Sequence, residues 1–450
     1  MVLGGSHDQR CYPADCHTLH LAAGGFGGIL VFHLRKRSIQ VNYQTVTHCQ
    51  VCNSADLVLR FDAGFQPLVN DLHPITEPLR PTTFYPTQLL ECQQCNLVQL
   101  GIEVDSSILF PPTYPYRSGT TKALKDNFTD LAKELATLFG IGKDDFVIDV
   151  GANDGSLLEA VRSVTGVEIA GIEPTEAWRE AERKGIPMWR EFLAWDTAES
   201  VVAAHRQAKV VTCTNCFAHV PDVHDFVKCV LTMLAPGGVF VTESHYLPSL
   251  MEELQLDVCY HEHLRYYSLT SLQYLFKQHG LVIVHAKEIP THGGSIRVYA
   301  MREGEAVDLP TYYELLLVEE TPLQDQRETP WQRFNRRVGE AHNDFWSMMF
   351  SHDRLFGIGA PSRSTTLIHY LGLSKASMEC VCEVKGSPKI GSYVPGTNIP
   401  ILDEEILYRE QPPFALLLSW HLKDHLVPLL RAKGYRGEII CPLPEPTVVA

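Results

Sequence analysis

The chain has 450 residues, a formal net charge of -15, 45% hydrophobic and 20% charged residues. That length has room for two to four domains, each able to bury its own core, and the composition is that of an ordinary globular protein. The acidic balance argues against a general nucleic-acid binder, which needs a basic surface to neutralise phosphates. No apolar run approaches the roughly twenty residues of a membrane-spanning helix. In chain order, Leu21 to Phe32 is apolar and glycine-rich but too short to span, and only Arg10 supplies a basic residue ahead of it. It does not read as a signal peptide. Residues 1–47 are expected to be a poorly ordered extension.

The first folded unit is expected over residues 48–118. It carries C-x-x-C twice, as Cys49-Gln50-Val51-Cys52 and Cys92-Gln93-Gln94-Cys95. Two such knuckles can place four thiolates tetrahedrally around one structural zinc ion; a redox dithiol needs only one C-x-x-C. Between them Phe65-Gln66-Pro67-Leu68-Val69-Asn70 reads as an irregular, proline-containing stretch. A module this small lacks core, so the metal is expected to supply much of its folding free energy. The thirteen cysteines are otherwise scattered, which fits a reducing cytoplasm better than a disulfide framework. A third C-x-x-C, Cys213-Thr214-Asn215-Cys216, follows the apolar pair Val210-Val211, and its cysteines read as buried small residues.

The second unit, residues 119–304, alternates strand and helix patterns. The run Phe146-Val147-Ile148 is of strand type, and Ser156 to Val161 reads as a helix start. Between them stands Asp149-Val150-Gly151-Ala152-Asn153-Asp154-Gly155, a glycine-rich turn that lets a ligand approach the backbone. The next strand ends at Gly171-Ile172-Glu173-Pro174, where a carboxylate can accept both hydroxyls of a ribose. Dinucleotide folds use the same logic, but this turn lacks the G-x-G-x-x-G order. Its Asn153-Asp154 pair also suits a cationic ligand better than a pyrophosphate. Leu234 to Val241 gives a helix end, a tight turn and a further strand.

Three polar clusters in this unit carry chemistry. Asp257 to Ser268 packs Tyr260, His261, Glu262, His263, Tyr266 and Tyr267 into twelve residues. H-x-H is not the H-E-x-x-H arrangement of a helical zinc site, so general acid/base chemistry is the better reading. His219 follows a strand at the carboxyl end of the expected sheet, where open α/β folds bind ligands. Thr291-His292-Gly293-Gly294-Ser295-Ile296-Arg297 combines two glycines with an arginine able to grip phosphate. Tyr114-Pro115-Tyr116-Arg117-Ser118-Gly119 closes the first unit, within reach of an active site.

Residues 305–349 read as a helical linker, and residues 350–450 as a second βαβ-type domain. That domain has strand Leu355 to Ile358, a turn through Gly359 to Ser364, and a helix over Thr365 to Leu371. Strands Met378 to Val384, Phe414 to Trp420 and Gly437 to Cys441 follow. Its glycine turn either holds a nucleotide or packs helix on sheet.

The order of motifs in the second unit resembles a class I S-adenosylmethionine-dependent methyltransferase. The longer succession C-x-x-C, G-F-Q-P-L-V-N, C-x-x-C, Y-P-Y-R-S-G, D-V-G-A-N-D-G, G-I-E-P, Y-H-E-H, T-H-G-G-S-I-R and Y-V-P-G-T-N-I-P-I resembles the nucleotide-sugar C-methyltransferases of deoxysugar pathways. These include the 3-C-methyltransferases of mycarose and tetronitrose biosynthesis. The resemblance spans about residues 48 to 445. Ala152 stands where that family usually has serine, and Arg363 where lysine is common.

The resemblance implies an α/β protein with a Rossmann-like class I methyltransferase domain at its centre. A zinc-binding domain precedes it and a Rossmann-like domain follows. It implies S-adenosylmethionine and one zinc ion as cofactors, and a nucleoside-diphosphate keto-deoxysugar as substrate. His263 corresponds to the family's base, with His219, Tyr116, Tyr260 and Glu262 in the active site. Asp149, Gly151, Asn153, Asp154, Gly155, Glu173 and Asn215 are expected to hold the cofactor. Gly293, Gly294, Ser295, Arg297 and Arg363 are expected to hold the substrate, and Cys49, Cys52, Cys92 and Cys95 the metal. O- or N-methylation of a nucleotide sugar, a zinc-containing methyltransferase of RNA or protein, and a non-catalytic binding protein are the alternatives.

Overall fold

The computed structural model describes residues 42–307, 309, 314, 316–317, 328–349 and 355–449. The expected extension lies outside the described residues up to position 41, as does much of the expected linker.

Six strands open the chain: β1 (Tyr43–Thr45), β2 (Leu57–Pro67), β3 (His73–Pro74), β4 (Phe84–Cys92), β5 (Val98–Leu100) and β6 (Ile102–Val104). Two sequence expectations change here. Tyr43–Thr45 was assigned to the extension, yet it pairs antiparallel with β6, its tyrosine packed edge-on against Tyr85. Phe65–Pro67 was expected to be irregular, yet it finishes β2 and pairs with Phe84–Pro86. A bulge between Asp62 and Phe65, with Gly64 at φ 75°, disguises the alternation. Pro67 is tolerated because it stands at the strand end.

The middle of the chain adds β7 (Phe146–Val150), β8 (Glu168–Ile172), β9 (Met188–Trp189), β10 (Ala208–Thr214), β11 (Leu234–His245), β12 (Arg265–Tyr266), β13 (Leu281–Ile289) and β14 (Ser295–Arg302). Seven of them form one sheet in the order β13-β14-β11-β10-β7-β8-β9. β7 is buried along its whole length, as a strand covered on both faces must be. The helix Lys122–Phe139 lays Leu124, Phe128, Leu131 and Leu135 onto the sheet at helical spacing. It starts on the Thr121 hydroxyl, which accepts the Leu124 amide, and stops at Gly140 with φ 64°. The order reverses between β7 and β10, which opens a crevice at their carboxyl ends.

The helix Pro330–Met349 leads to β15 (Leu355–Ile358), β16 (Met378–Glu383), β17 (Ser392–Tyr393), β18 (Ile401–Asp403), β19 (Phe414–Leu417), β20 (Glu438–Cys441) and β21 (Thr447–Val449). Their sheet runs β18-β16-β15-β19-β20-β21, parallel except for β21. It is wound like the central sheet and reverses between β15 and β19. The helix after β15 spans Ser362–Tyr370, so it begins three residues before the expected Thr365.

The first module does not stand on a core of its own; it borrows from its neighbours. Phe61, Tyr85 and Leu89 share one buried cluster with Leu256, Phe334 and Leu367. The four cysteines sit in another with Phe217, Val227 and Leu272. Strand β12 joins β5 at the edge of the first module's sheet, and β3 pairs with β17. Residues 42 onward accordingly form one compact unit.

Candidate active site

A cavity of about 1080 Å³ opens between the carboxyl ends of the central and C-terminal sheets. Asp149, Gly151, Asn153, Glu173 and Asn215 all line it. Gly151 has φ 76°, and a Cβ there would lie 2.8 Å from the Cβ and Sγ of Cys216, so only glycine fits. Glu173 is buried at the end of β8. Its Oε2 accepts the Asn153 amide at 2.9 Å and its Oε1 the Thr175 amide at 2.8 Å, which hangs the turn from the carboxylate. Burial raises its pKa above the ordinary carboxylate value. Asp149 is buried too; it accepts the Thr212 hydroxyl at 2.7 Å, and burial pushes its pKa up to about 7. Asn215 Oδ1 and Ser244 Oγ line the same wall and are buried without a protein partner. Buried polar atoms of that kind are what a polar ligand satisfies. The residues present therefore fit S-adenosylmethionine: a ribose acceptor, acidic groups for the methionine amine, and a turn that admits the chain.

Asp154 and Gly155 do not reach the cavity. Asp154 accepts Gly119 N at 2.8 Å, Ser118 Oγ at 3.1 Å and Ser156 N at 3.1 Å, fastening the Ser118-Gly119 turn to the helix start. Cys216, expected to be buried, is partly exposed and lines the cavity, while Cys213 is buried as expected.

Across the cavity stands a group of imidazoles. His263 lies on a turn, not on a helix, so its neighbour His261 faces away, to Thr87 Oγ1 and the Pro86 carbonyl. The His263 ring is 4.2 Å from Tyr260, 4.8 Å from His245 and 5.0 Å from His219 between centroids. Its Nδ1 lies 2.7 Å from the Val258 carbonyl oxygen. A carbonyl only accepts, so Nδ1 carries the hydrogen and Nε2 keeps its lone pair. Burial lowers the His263 pKa to about 4, partly offset by that carbonyl, so the ring is neutral. His219 stacks on Phe110 at 5.4 Å and is likewise held neutral by burial. Tyr260 is buried and its phenol is pushed well up, so it keeps its proton.

Glu262 is brought to the cavity wall as expected, but its carboxylate is engaged. Oε2 accepts the Tyr114 hydroxyl at 2.7 Å and Oε1 accepts Asn70 Nδ2 at 2.8 Å. Asn70 Oδ1 in turn accepts the Ser362 hydroxyl at 3.1 Å, so Asn70 links the C-terminal module to the Glu262 carboxylate. Tyr116 sits at the rim, 38% exposed, and its carbonyl accepts Asn153 Nδ2.

The expected substrate residues are corrected most. Arg297 is fully buried away from the cavity: Nε donates to Glu243 at 2.6 Å, Nη1 to Glu134 at 2.5 Å and Nη2 to Asn127 at 2.7 Å. No valence is left to grip a phosphate. A Cβ on Gly293 would lie 2.6 Å from Gln255 Oε1, so that glycine serves packing. Gly294 packs on Ser249 in the same way, and the Ser295 hydroxyl donates to the Thr291 carbonyl. Only His292 of that cluster lines the cavity, at φ 58°. Arg363 does line it, but its guanidinium is held by Asp257 at 2.6 and 2.8 Å. The sequence motifs contain His292, Asn70 and Tyr114 without marking a role for each, and they leave out His245 and Glu383. Of these, Glu383 had a signal: it ends the second strand of its sheet, as Glu173 does.

The metal centre lies apart. Cys49 and Cys95 sulfurs are 3.4 Å apart, as are those of Cys52 and Cys92, and all four lie within 4.8 Å of one another. A tetrahedral zinc ion about 2.3 Å from each sulfur needs separations near 3.8 Å, so the set fits. Amides of Val51 and Gln94 point at Cys49 and Cys92, and each knuckle closes on a left-handed asparagine, Asn53 and Asn96. The Val51 carbonyl lies 2.8 Å from His224 Nε2 and accepts Gln278 Nε2, which ties the knuckle to the central helices.

Three family profiles match in succession: a zinc binding domain over residues 49–110, a methyltransferase domain over 123–286, and a C-methyltransferase C-terminal domain over 290–444. C-methyltransferase NovU of Streptomyces niveus is 27% identical over 413 residues, covering 90% of this chain and 97% of that protein. A ubiquinone biosynthesis O-methyltransferase of Burkholderia thailandensis is 29% identical over 162 residues, 32% of this chain and 68% of its own length. Among solved structures, magnesium protoporphyrin IX methyltransferase from Synechocystis PCC 6803 shares 13% identity over 40% of this chain and 79% of its own, with a TM-score of 0.30. Strand order, cavity and profiles together define a class I S-adenosylmethionine-dependent methyltransferase that also carries zinc. The chain is similar to the C-methyltransferase NovU along 90% of its length, and its C-terminal profile is that of a C-methyltransferase.

Proposed function

We propose that this enzyme C-methylates a nucleoside-diphosphate-linked keto-deoxysugar through an enolate, with His263 as the base. The observation that carries the reading is the His263 tautomer. Its Nδ1–H is spent on the Val258 carbonyl, so Nε2 is a lone-pair acceptor among His219, His245 and Tyr260. A carbon beside a ketone becomes a nucleophile only when its proton leaves. His263 Nε2 takes that proton, the C–H electron pair moves into the enolate, and the Tyr260 hydroxyl and His219 are placed to donate to its oxygen. One such donor is typically worth about 3 kcal/mol. Burial that depresses the free imidazole also strengthens its pairing with the enolate charge. Bound S-adenosylmethionine supplies the electrophilic methyl group. The chain's part is to hold the acceptor carbon in line and exclude water.

The nucleotide reading draws on the C-terminal sheet. Glu383, at the end of β16, accepts the Ala360 amide, as Glu173 accepts that of Asn153. The helix Ser362–Tyr370 starts without a side-chain cap and Lys389 lines the same wall, an arrangement suited to a ribose and phosphates. No helix among the described residues is long and apolar enough to cross a membrane. A thiol-rich zinc site suits the cytoplasm proposed for it.

The test is incubation with S-adenosylmethionine and a panel of nucleotide keto-sugars, read by mass spectrometry and carbon NMR. A methyl carbon bonded to carbon supports the reading. A methyl carbon on oxygen or nitrogen assigns the enzyme to heteroatom transfer. No product with any keto-sugar, alongside methylation of tRNA or protein, overturns it.

A further inference from the structure

Asp257 lies immediately before Val258, and its carboxylate is 0% exposed. It accepts three hydrogen bonds, all from the C-terminal module. Arg363 Nη2 donates to Oδ1 at 2.6 Å, and Arg363 Nε to Oδ2 at 2.8 Å. Trp420 Nε1 donates to Oδ2 at 2.8 Å. Arg363 also lies over the Trp420 ring, 5.1 Å from its centroid, so both donors are packed against each other. The same guanidinium donates through Nη1 to the His292 carbonyl at 3.1 Å and through Nη2 to Gln255 Oε1 at 3.3 Å. Gln255 Nε2 donates to the Gly293 carbonyl. The segment that leads to His263 is therefore clamped from the opposite module.

A two-pronged guanidinium–carboxylate pair fixes direction as well as distance. Asp257 so fixed anchors the turn at Val258, whose carbonyl lies 2.7 Å from His263 Nδ1 and also accepts the Tyr260 amide at 3.1 Å. We propose that Asp257 is a positioning residue for methyl transfer: held by Arg363 and Trp420, it fixes the Val258 carbonyl that selects the Nδ1–H tautomer of His263. This rests on the reading of His263 as base. The clamp also couples the base to the C-terminal half of the cavity, because Arg363 stands in the first turn of the helix that begins at Ser362. It explains why this buried arginine is not free to bind phosphate.

The test uses the full chain loaded with zinc and labelled with ¹⁵N-histidine. The His263 signals are identified by their loss in His263→Asn. In the wild type, Nδ1 should carry the hydrogen and Nε2 should not. In Asp257→Asn the Nε2–H form should appear, because the Val258 carbonyl is released. Turnover should fall on the order of 10–10³-fold, as when a residue orienting an imidazole is changed, with S-adenosylmethionine affinity within about twofold. Arg363→Lys keeps the charge without the fork and should lie between. Trp420→Phe removes one donor and keeps the ring, and it carries the test should Asp257→Asn fail to fold. Wild-type His263 signals in the folded variants overturn the proposal. Full turnover in His263→Asn overturns the base reading instead and leaves the tautomer measurement to judge Asp257.

Discussion

The Tyr114 hydroxyl donates to Glu262 Oε2 at 2.7 Å, across the boundary between the first module and the methyltransferase sheet. Both groups are buried, and Glu262 is a carboxylate whose other oxygen is taken by Asn70. A hydrogen bond to a buried charge is worth more than one between neutral groups. A cycle of Tyr114→Phe, Glu262→Gln and the double variant should give a coupling energy of about 1.5–3 kcal/mol in chemical denaturation. Additive effects of the two changes would show that the contact does not hold the modules together.

Asp149 gives a pH dependence of cofactor binding. Burial raises its pKa to about 7 in the free protein, so below that pH it is protonated. A cationic methionine portion favours the ionised form, so binding must release a proton at pH 6, and affinity should fall as pH drops through about 7. Calorimetry in buffers of different ionisation enthalpy should detect that proton. Asp149→Asn should abolish both the release and the pH slope.

Glu173 should dominate cofactor affinity from the ribose side. Glu173→Ala removes a charged acceptor and also frees the Asn153 and Thr175 amides. S-adenosylmethionine binding should weaken by about 1.5–3 kcal/mol in calorimetry. Unchanged affinity would remove this carboxylate from the cofactor site.

His263→Asn keeps a polar side chain of similar reach but no titratable lone pair. Turnover should drop on the order of 10²–10⁴-fold, with S-adenosylmethionine and acceptor binding nearly unchanged. Near wild-type turnover would move the base to His245 or His219, whose rings lie 4.8 and 5.0 Å from that of His263.

The zinc centre should prove structural. Metal analysis should find about one zinc per chain, lost when Cys92→Ser and Cys95→Ser are combined. Because the Val51 carbonyl is bonded by His224 and Gln278, the thermal midpoint of the methyltransferase module should fall with it. Retained zinc in that double variant would show that these sulfurs are not ligands.

Residues close in sequence made one wall of this cavity readable. Asp149, Gly151, Asn153 and Glu173 belong to one strand–turn–helix–strand unit, and a glycine turn followed by a strand ending in an acid is a local pattern. The four cysteines carried their own spacing. The facing wall was harder, because its groups meet only through the fold. Arg363 looks free in the sequence, and its partner Asp257 lies 106 positions away. Arg297 looked like a phosphate ligand because nothing near it in the chain announces Glu243 or Glu134. His245 ends a long strand after Thr242, Glu243 and Ser244, with no local motif to mark it. The bulge at Gly64 hid the end of β2, since one extra residue breaks the alternation by which a strand is recognised.

Two sheets wound alike face each other across the cavity, each with an acid after its second strand that accepts an amide from the turn after its first. One device is used twice, and the uses are separable along the chain. The loops after β7 and β8 fix what donates the methyl group. On the reading proposed above, those after β15 and β16 hold the acceptor. On that reading, substitutions on one side change the acceptor while the donor side stays intact.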